Sequence, residues 1–272
     1  MVYVTTTSVR RTVGIDSTTI SDDDVTAIIA EVEPQIERYF NTVFTPKERT
    51  DILTGNGTNR IFTMKNPVLQ VKDLYIDGTQ EDTANLHVSK GSGKLILSTS
   101  ATASTFLEKD NAIVVKYVYG WLEESSTSST TSAAEVAGTD VSVAVASITG
   151  FADNDWVEIY GMDGKRETAQ INGTPSGSTI ILDKLVYAHV SGSTVVKLQI
   201  NPIFSKLMNI CCSLAMVARI VGSSYTDIVG YTMGEFSVQK GEPYTQWRET
   251  ATQLIKERDR LMVMIKPRPC VI

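Results

Sequence analysis

The sequence predicts an α+β chain: a helical bundle core, a strand-rich segment, and an inserted all-β domain of sandwich or barrel type. Three observations lead there. The stretch from Asn201 to Gly222, NPIFSKLMNICCSLAMVARIVG, is apolar on nearly every helical face, and a helix apolar all round is a buried one. From Thr45 to Trp121, and again from Val141 to Leu198, the apolar period drops to two. Between these lies SSTSSTTS, Ser125 to Ser132, which reads as a flexible joint. The implied division is 1–124, 125–198 as the inserted β domain, and 199–272.

In chain order, residues 1–19 form a Thr-rich, extended lead-in. Ser21 is an N-cap with Asp24 three residues on, and Asp22, Asp23 and Asp24 complement the helix dipole rather than mark a metal site. Val25, Ile28, Ile29, Val32, Ile36, Tyr39 and Phe40 follow at helical spacing, with Pro34 kinking the exposed side. Strands are predicted over Arg60–Met64, Val71–Asp77, Leu86–Ser89, Lys94–Leu97 and Ala112–Tyr119. Gly55-Asn56-Gly57, Asp77-Gly78 and Gly91-Ser92-Gly93 read as turns, not phosphate loops, because no Gly-Lys-Ser/Thr follows. In the insert the strands are Val141–Val145, Trp156–Tyr160, Thr168–Ile171, Thr179–Leu182 and Thr194–Leu198.

Asn201 caps the long helix, Pro202 suits its first position and Gly222 its C′ position. Lys206, Asn209, Ser213 and Arg219 interrupt the apolar run and argue against a membrane span. A short strand, Glu235–Gln239, follows. Pro243 then opens the last helix, where Trp247, Ala251, Leu254, Arg258, Leu261 and Ile265 fall near heptad spacing opposite a face of mixed charge. In the final KPRPCVI, Pro267 and Pro269 stop the helix and leave an extended tail tipped by Val271 and Ile272.

The formal net charge is -6 over 272 residues, which argues against a sequence-independent nucleic-acid binder. Two histidines, His87 and His189, leave little for metal or acid–base chemistry. We read His189 as a turn residue and His87 as facing out of a strand. Cys211, Cys212 and Cys270 imply no disulfide framework, and the N-terminus lacks the apolar region of a secretory signal. No nucleophile elbow, His-Glu-x-x-His helix, P-loop or paired-cysteine motif occurs. Asp153 and Asp155 belong to a turn rather than to an acid–base pair. Trp156, Tyr160 and Tyr187 read as core or edge packing, with a sugar platform as the rival reading. The residues therefore nominate no enzyme, cofactor or metal.

Five strings follow one another along the chain: a capped helix running into RYFNTVF, then TDILTGNGTNRIF, NPVLQVKDLYIDG, IVVKYVYGW and, late, VGYTMGEFSVQKG. In that order, over roughly 1–122 and 200–272, the chain resembles the head–tail connector family of tailed bacteriophages and related archaeal viruses, also called adaptor or head-completion proteins. The insert departs from compact members and resembles small β-modules of other virion proteins. The resemblance implies a virion protein at the neck, assembled in the host cytoplasm, forming a homo-oligomeric ring, usually twelve-fold. Such a ring sits beneath the portal protein, extends the channel for double-stranded DNA without binding it specifically, and receives the next neck or tail-completion protein. It has no membrane partner.

Carried onto this chain, the portal-binding segment is the last helix with the tail Lys266, Pro267, Arg268, Pro269, Cys270, Val271 and Ile272. Subunit packing falls to Leu207, Leu214, Val217, Trp247, Leu254 and Leu261. An acidic subunit suits a channel through which DNA must slide, since phosphate-binding lysines would hold it. The competing readings are a virion surface module whose β insert recognises a host glycan or receptor, and a wall hydrolase, for which no carboxylate pair stands out.

Overall fold

Period-two sequence dominates the chain, and the computed structural model is accordingly mostly β. It describes residues 3–40, 43–223, 230–233, 236–239 and 243–265. The helices are α1 (Thr6–Val13), α2 (Asp22–Phe40), α3 (Pro202–Ser223) and α4 (Pro243–Ile265). The strands are β1 (Lys47–Leu53), β2 (Arg60–Phe62), β3 (Val68–Ile76), β4 (Thr79–Glu81), β5 (Leu86–Ser89), β6 (Lys94–Leu97), β7 (Ile113–Tyr119), β8 (Leu122–Thr130), β9 (Gly138–Ala144), β10 (Trp156–Tyr160), β11 (Arg166–Gln170), β12 (Thr179–Leu185), β13 (Thr194–Ile200), β14 (Gly230–Met233) and β15 (Phe236–Gln239).

The expected helical bundle core is thereby overturned. Residues 42–201 form one compact unit, which is β, and residues 2–41 with 202–272 form another, which holds the helices. The physical reason lies in α3. Phe204, Leu207, Met208, Ile210, Cys212, Met216 and Val217 are buried, but Leu214 and Ala215 are only half-buried and Lys206, Ala218 and Arg219 are exposed. An apolar composition all round is not burial all round: α3 is covered along a stripe, by α1, α2 and α4.

In the helical unit, α2 starts as its residues dictate. The Ser21 hydroxyl accepts the Asp24 N–H at 3.1 Å and donates to the Asp24 carboxylate at 2.6 Å. The helix runs through Pro34, which sits on its exposed side. The predicted extended lead-in is wrong, because α1 occupies it. Thr5 accepts the Ser8 N–H while Ser8 accepts the Thr5 N–H, and Gly14 closes the helix at φ 75° with its N–H on the Arg10 carbonyl at 2.9 Å. α1 contributes a fully buried Val9, whose carbonyl accepts the Ser213 hydroxyl at 3.4 Å. Phe204 meets Tyr3 and Phe40 edge-on at 5.2 and 6.1 Å, tying both ends of the chain together. Thr5→Ala is expected to cost about 1 kcal/mol by removing the cap. Chemical denaturation measures this, and an unchanged midpoint would contradict the assignment.

The β unit begins with two sheets, β1-β7-β3-β4 and β2-β6-β5, both antiparallel. They enclose a core that includes Val71, Leu74, Leu86, Leu95, Phe106, Ile113, Val115 and Tyr117. The β3–β4 hairpin turns on Asp77 and Gly78, both at positive φ (49° and 79°), as a two-residue Asp-Gly loop requires.

The Ser/Thr run is not a flexible joint. It is β8, paired with β13 from Leu122↔Ile200 to Thr130↔Thr194. Threonine suits a pleated strand, and alternate β8 residues face outward. The boundary expected at residue 125 therefore falls inside a strand. Around β8 the insert closes on itself. The order β11-β10-β13-β8 continues through the Thr131↔Val145 bridge to β9, then to β12, and the Ile171↔Leu182 bridge returns to β11. This is a small barrel, filled by Val143, Val157, Ile159, Ala169, Ile171, Ile180, Leu182 and Val195 among others.

The barrel also packs on the first sheet. Trp156 and Leu198 form a cluster with Leu69 and Val118, and the Thr168 hydroxyl donates to the Leu69 carbonyl. Lys72 pairs with Asp183, and the Lys184 ammonium donates to the Lys72 carbonyl at 2.9 Å.

Candidate functional site

Among the residues expected to pack subunits, Leu207, Val217 and Leu261 are buried inside the chain's own helical unit. Leu214 and Leu254 are half-buried, and Trp247 falls in α4. α3 and α4 lie against each other, joined by the Lys206–Glu257 ion pair at 2.6 Å. Arg260, its largest influence, and Lys206 together pull the Glu257 carboxyl down to about 2. On α4, Ile255, Val263 and Met264 remain exposed, by 41%, 71% and 57%. The tail Lys266–Ile272 lies outside the described residues.

By length and composition Pro202–Ile220 is apolar enough to cross a membrane, but half of it is buried in the protein, and its contacts are those of a packed helix. Burial raises the Cys211 thiol to about 11 and the Cys212 thiol to about 12, so both are inert at neutral pH.

In the β unit a cleft of about 420 Å³ runs between β3 and β5 on one side and β11 and the start of the β12–β13 connection on the other. Leu69, Val71, Leu86, Val88 and Tyr187 make it largely apolar. Several of its polar groups have tasks in the fold, while the buried Gln70 Oε1 has no hydrogen-bond partner among the described residues. Arg166 pairs with Glu158 at 2.5 Å and Glu124 at 2.7 Å, and lies 5.2 Å over the Tyr160 ring. Lys165 donates to the Ala188 carbonyl at 3.0 Å, and the Tyr187 hydroxyl to that of Leu86 at 3.3 Å. The cleft is a seam between barrel and sheet, not an assembled reaction centre. The three aromatics do not converge on a platform: Trp156 is 97% buried in the seam cluster (3% exposed), while Tyr160 and Tyr187 are half-buried and separately engaged.

A polar cluster closes one end of the barrel, and here sequence reading missed residues. Glu167 shares the inward phase of Ala169 and Ile171, which is the signal that marks it as buried. Its carboxylate accepts the Val186 and Tyr187 N–H groups at 2.6 and 2.9 Å and lies 2.7 Å from His189 Nε2. Beside a group that only accepts, Nε2 carries the proton. His189 is thus a buried ligand of the fold, not merely a turn residue. Glu135 bridges the His189 backbone and accepts the Ala144 N–H at 3.1 Å. Burial pushes its carboxyl above the usual range despite that bond and the nearby His189. His87 faces out of β5, as expected. Asp153 and Asp155 hold their turn through the Gly173 and Ala152 N–H groups, both at 2.7 Å.

Among the described residues no three His, Cys, Asp or Glu side chains are grouped to hold a metal ion. The ionised groups of the cleft and of the barrel cluster are bound to backbone groups or to countercharges. No family model matches the chain, and no curated protein is significantly similar to it.

Proposed function

We propose that this chain is a structural subunit of the neck of a tailed virus, a head–tail connector that forms a homo-oligomeric ring beneath the portal. Two facts support the reading. The succession of strings resembles that family over both ends of the chain. The helices from the two ends of the chain, α1 and α2 with α3 and α4, gather into one unit, while the strings from TDILTGNGTNRIF to IVVKYVYGW lie in the β unit.

The observation that carries the reading is α4. It is 23 residues long and held to α3 on one side, and it leaves Val263 and Met264 exposed one turn before the expected portal-binding tail. Apolar side chains left in water at a helix end are stabilised when a partner covers them, by about 1.5–3 kcal/mol for each large side chain fully buried. Around a ring that modest term becomes avidity. The β unit then forms the periphery or the platform for the next neck component, and DNA passes without specific binding.

Size-exclusion chromatography with light scattering tests the ring. A twelve-fold assembly of 29.7 kDa subunits has a mass of about 356 kDa. A monomeric mass at all accessible concentrations would refute the ring.

A further inference from the structure

We propose that the outer face of the β2-β6-β5 sheet docks on a carboxylate-bearing surface of a second copy of this chain, in a head-to-tail contact. The inference rests on the ring reading and adds to it the surface that joins neighbouring subunits.

Register places the residues. Arg60, Ile96 and His87 stand in one row across the three strands, and Phe62, Lys94 and Ser89 in the next. Residues paired in an antiparallel sheet point to the same side. The opposite side carries Ile61, Leu95, Leu86 and Leu97, all in the core. The outer face therefore holds three nitrogen bases, a phenyl ring and an isoleucine, and no carboxylate. Phe62 is 58% exposed, Arg60 on the same strand and His87 on the far edge strand are exposed, and Lys94 and Ile96 between them are half-buried.

Many cations elsewhere in the chain are countered, although Arg11, Lys65 and Lys256 also lack an acidic partner among the described residues. Arg10, Arg49, Lys72, Lys109, Lys116, Arg166, Lys197 and Lys206 each pair with an Asp or Glu. Arg60 and Lys94 have no such pair among the described residues. Two uncompensated cations around an exposed Phe have the make-up of an interface centre, where aromatic and Arg side chains are enriched.

Charge complementarity identifies the occupant. The chain has 31 acidic against 25 basic residues, so the rest of its surface is richer in carboxylates than this face. Two such faces cannot pair with each other, because cation would meet cation. The contact is therefore heterologous, and heterologous contacts build rings when the rotation closes. A phosphate backbone would also be attracted. However, this face offers one aromatic for stacking, and Ile96 beside it adds aliphatic surface suited to a protein.

The test compares the full chain with R60E/K94E and with Phe62→Ser, after circular dichroism and melting show that each variant is folded. Sedimentation equilibrium should give a subunit dissociation constant weakened by at least about 100-fold in the charge reversal, because like charges now face the partner. Wild-type association should weaken as salt rises toward about 0.5 M. Folded variants that assemble as tightly as wild type would overturn this contact and leave the ring standing. A wild-type chain that never assembles would overturn the ring and the contact together. Binding of a single-stranded DNA 20-mer by wild type, lost in R60E/K94E with subunit mass unchanged, would assign the face to nucleic acid instead.

Discussion

Asp51→Ala should destabilise the β unit by about 3 kcal/mol, toward the lower end of what breaking a buried charge pair costs. Asp51 is 1% exposed, in the middle of β1. Its carboxylate accepts the Tyr117 hydroxyl at 2.6 Å, the Met64 N–H at 2.7 Å and the Arg49 guanidinium. Removal strands a phenol that is wholly buried in the core and an amide N–H beside it. The Arg49 side chain is 37% exposed and can return to water, which is why the expected loss is not larger.

The pH dependence has a definite sign. Burial pushes the Asp51 carboxyl up, but the Tyr117, Arg49 and Met64 donors outweigh it and the net shift is downward from the ordinary 3.8. A depressed carboxyl contributes stability that is present above the unfolded value and lost as pH falls through the folded value. Denaturant midpoints should therefore drop below about pH 4 in the wild type and drop less in Asp51→Ala. Parallel pH profiles for the two proteins would show that Asp51 does not hold this knot.

Trp156→Ala should cost about 3–5 kcal/mol, the usual range for emptying an aromatic site in a core. Trp156 lies on the outer phase of β10 while Val157 and Ile159 fill the barrel, so β10 is buried on both faces. Its indole is the largest member of the cluster with Leu69, Val118 and Leu198 that seals barrel to sheet. The substitution should leave the barrel's own core intact and weaken the seam. Protection of the barrel amides against hydrogen exchange should survive better than that of β3 and β7. Uniform loss would show instead that the two parts have no separate stability. For the same reason, excising 125–198 would cut β8 and expose Leu69 and Val118, so it should yield insoluble protein.

Much of the fold was legible where the pattern was strong. β5, β6 and β10 fall on the expected residues because each is a short run rich in β-branched, aromatic or leucine side chains, bounded in β6 and β10 by turn residues, and α2 begins at its capped serine. The misses share a cause: composition spoke for one structure and pairing chose another. SSTSSTTS lacks the apolar residues that mark a strand, yet β13 supplies backbone partners along its length. KERTDIL looks solvated, yet Asp51 points inward because Tyr117 and Met64 bring donors to it. TTSVRRTV has one large core residue, Val9, and its helix is set by a reciprocal Thr5–Ser8 cap spaced three apart. In α3 the apolar residues announced burial, but hydrophobicity does not say which partner covers a face. Leu207 and Val217 are covered by the chain itself, not held for a neighbour.

The polar residues at the barrel end show the same limit. His189 lies 22 positions from Glu167, and only the closure of the barrel brings their side chains together. Glu167 alone gave a local sign, a carboxylate in an apolar phase.

Docking on the portal separates a connector from any other virion protein. The chain and a version ending at Ile265 should be mixed separately with portal rings of the same virus, and complexes counted by electron microscopy. The full chain should cap portals as a ring. The shortened chain should still fold and self-associate but fail to attach, because Val271 and Ile272 are the apolar groups assigned to the portal. A full-length chain that leaves portals bare would contradict the connector assignment.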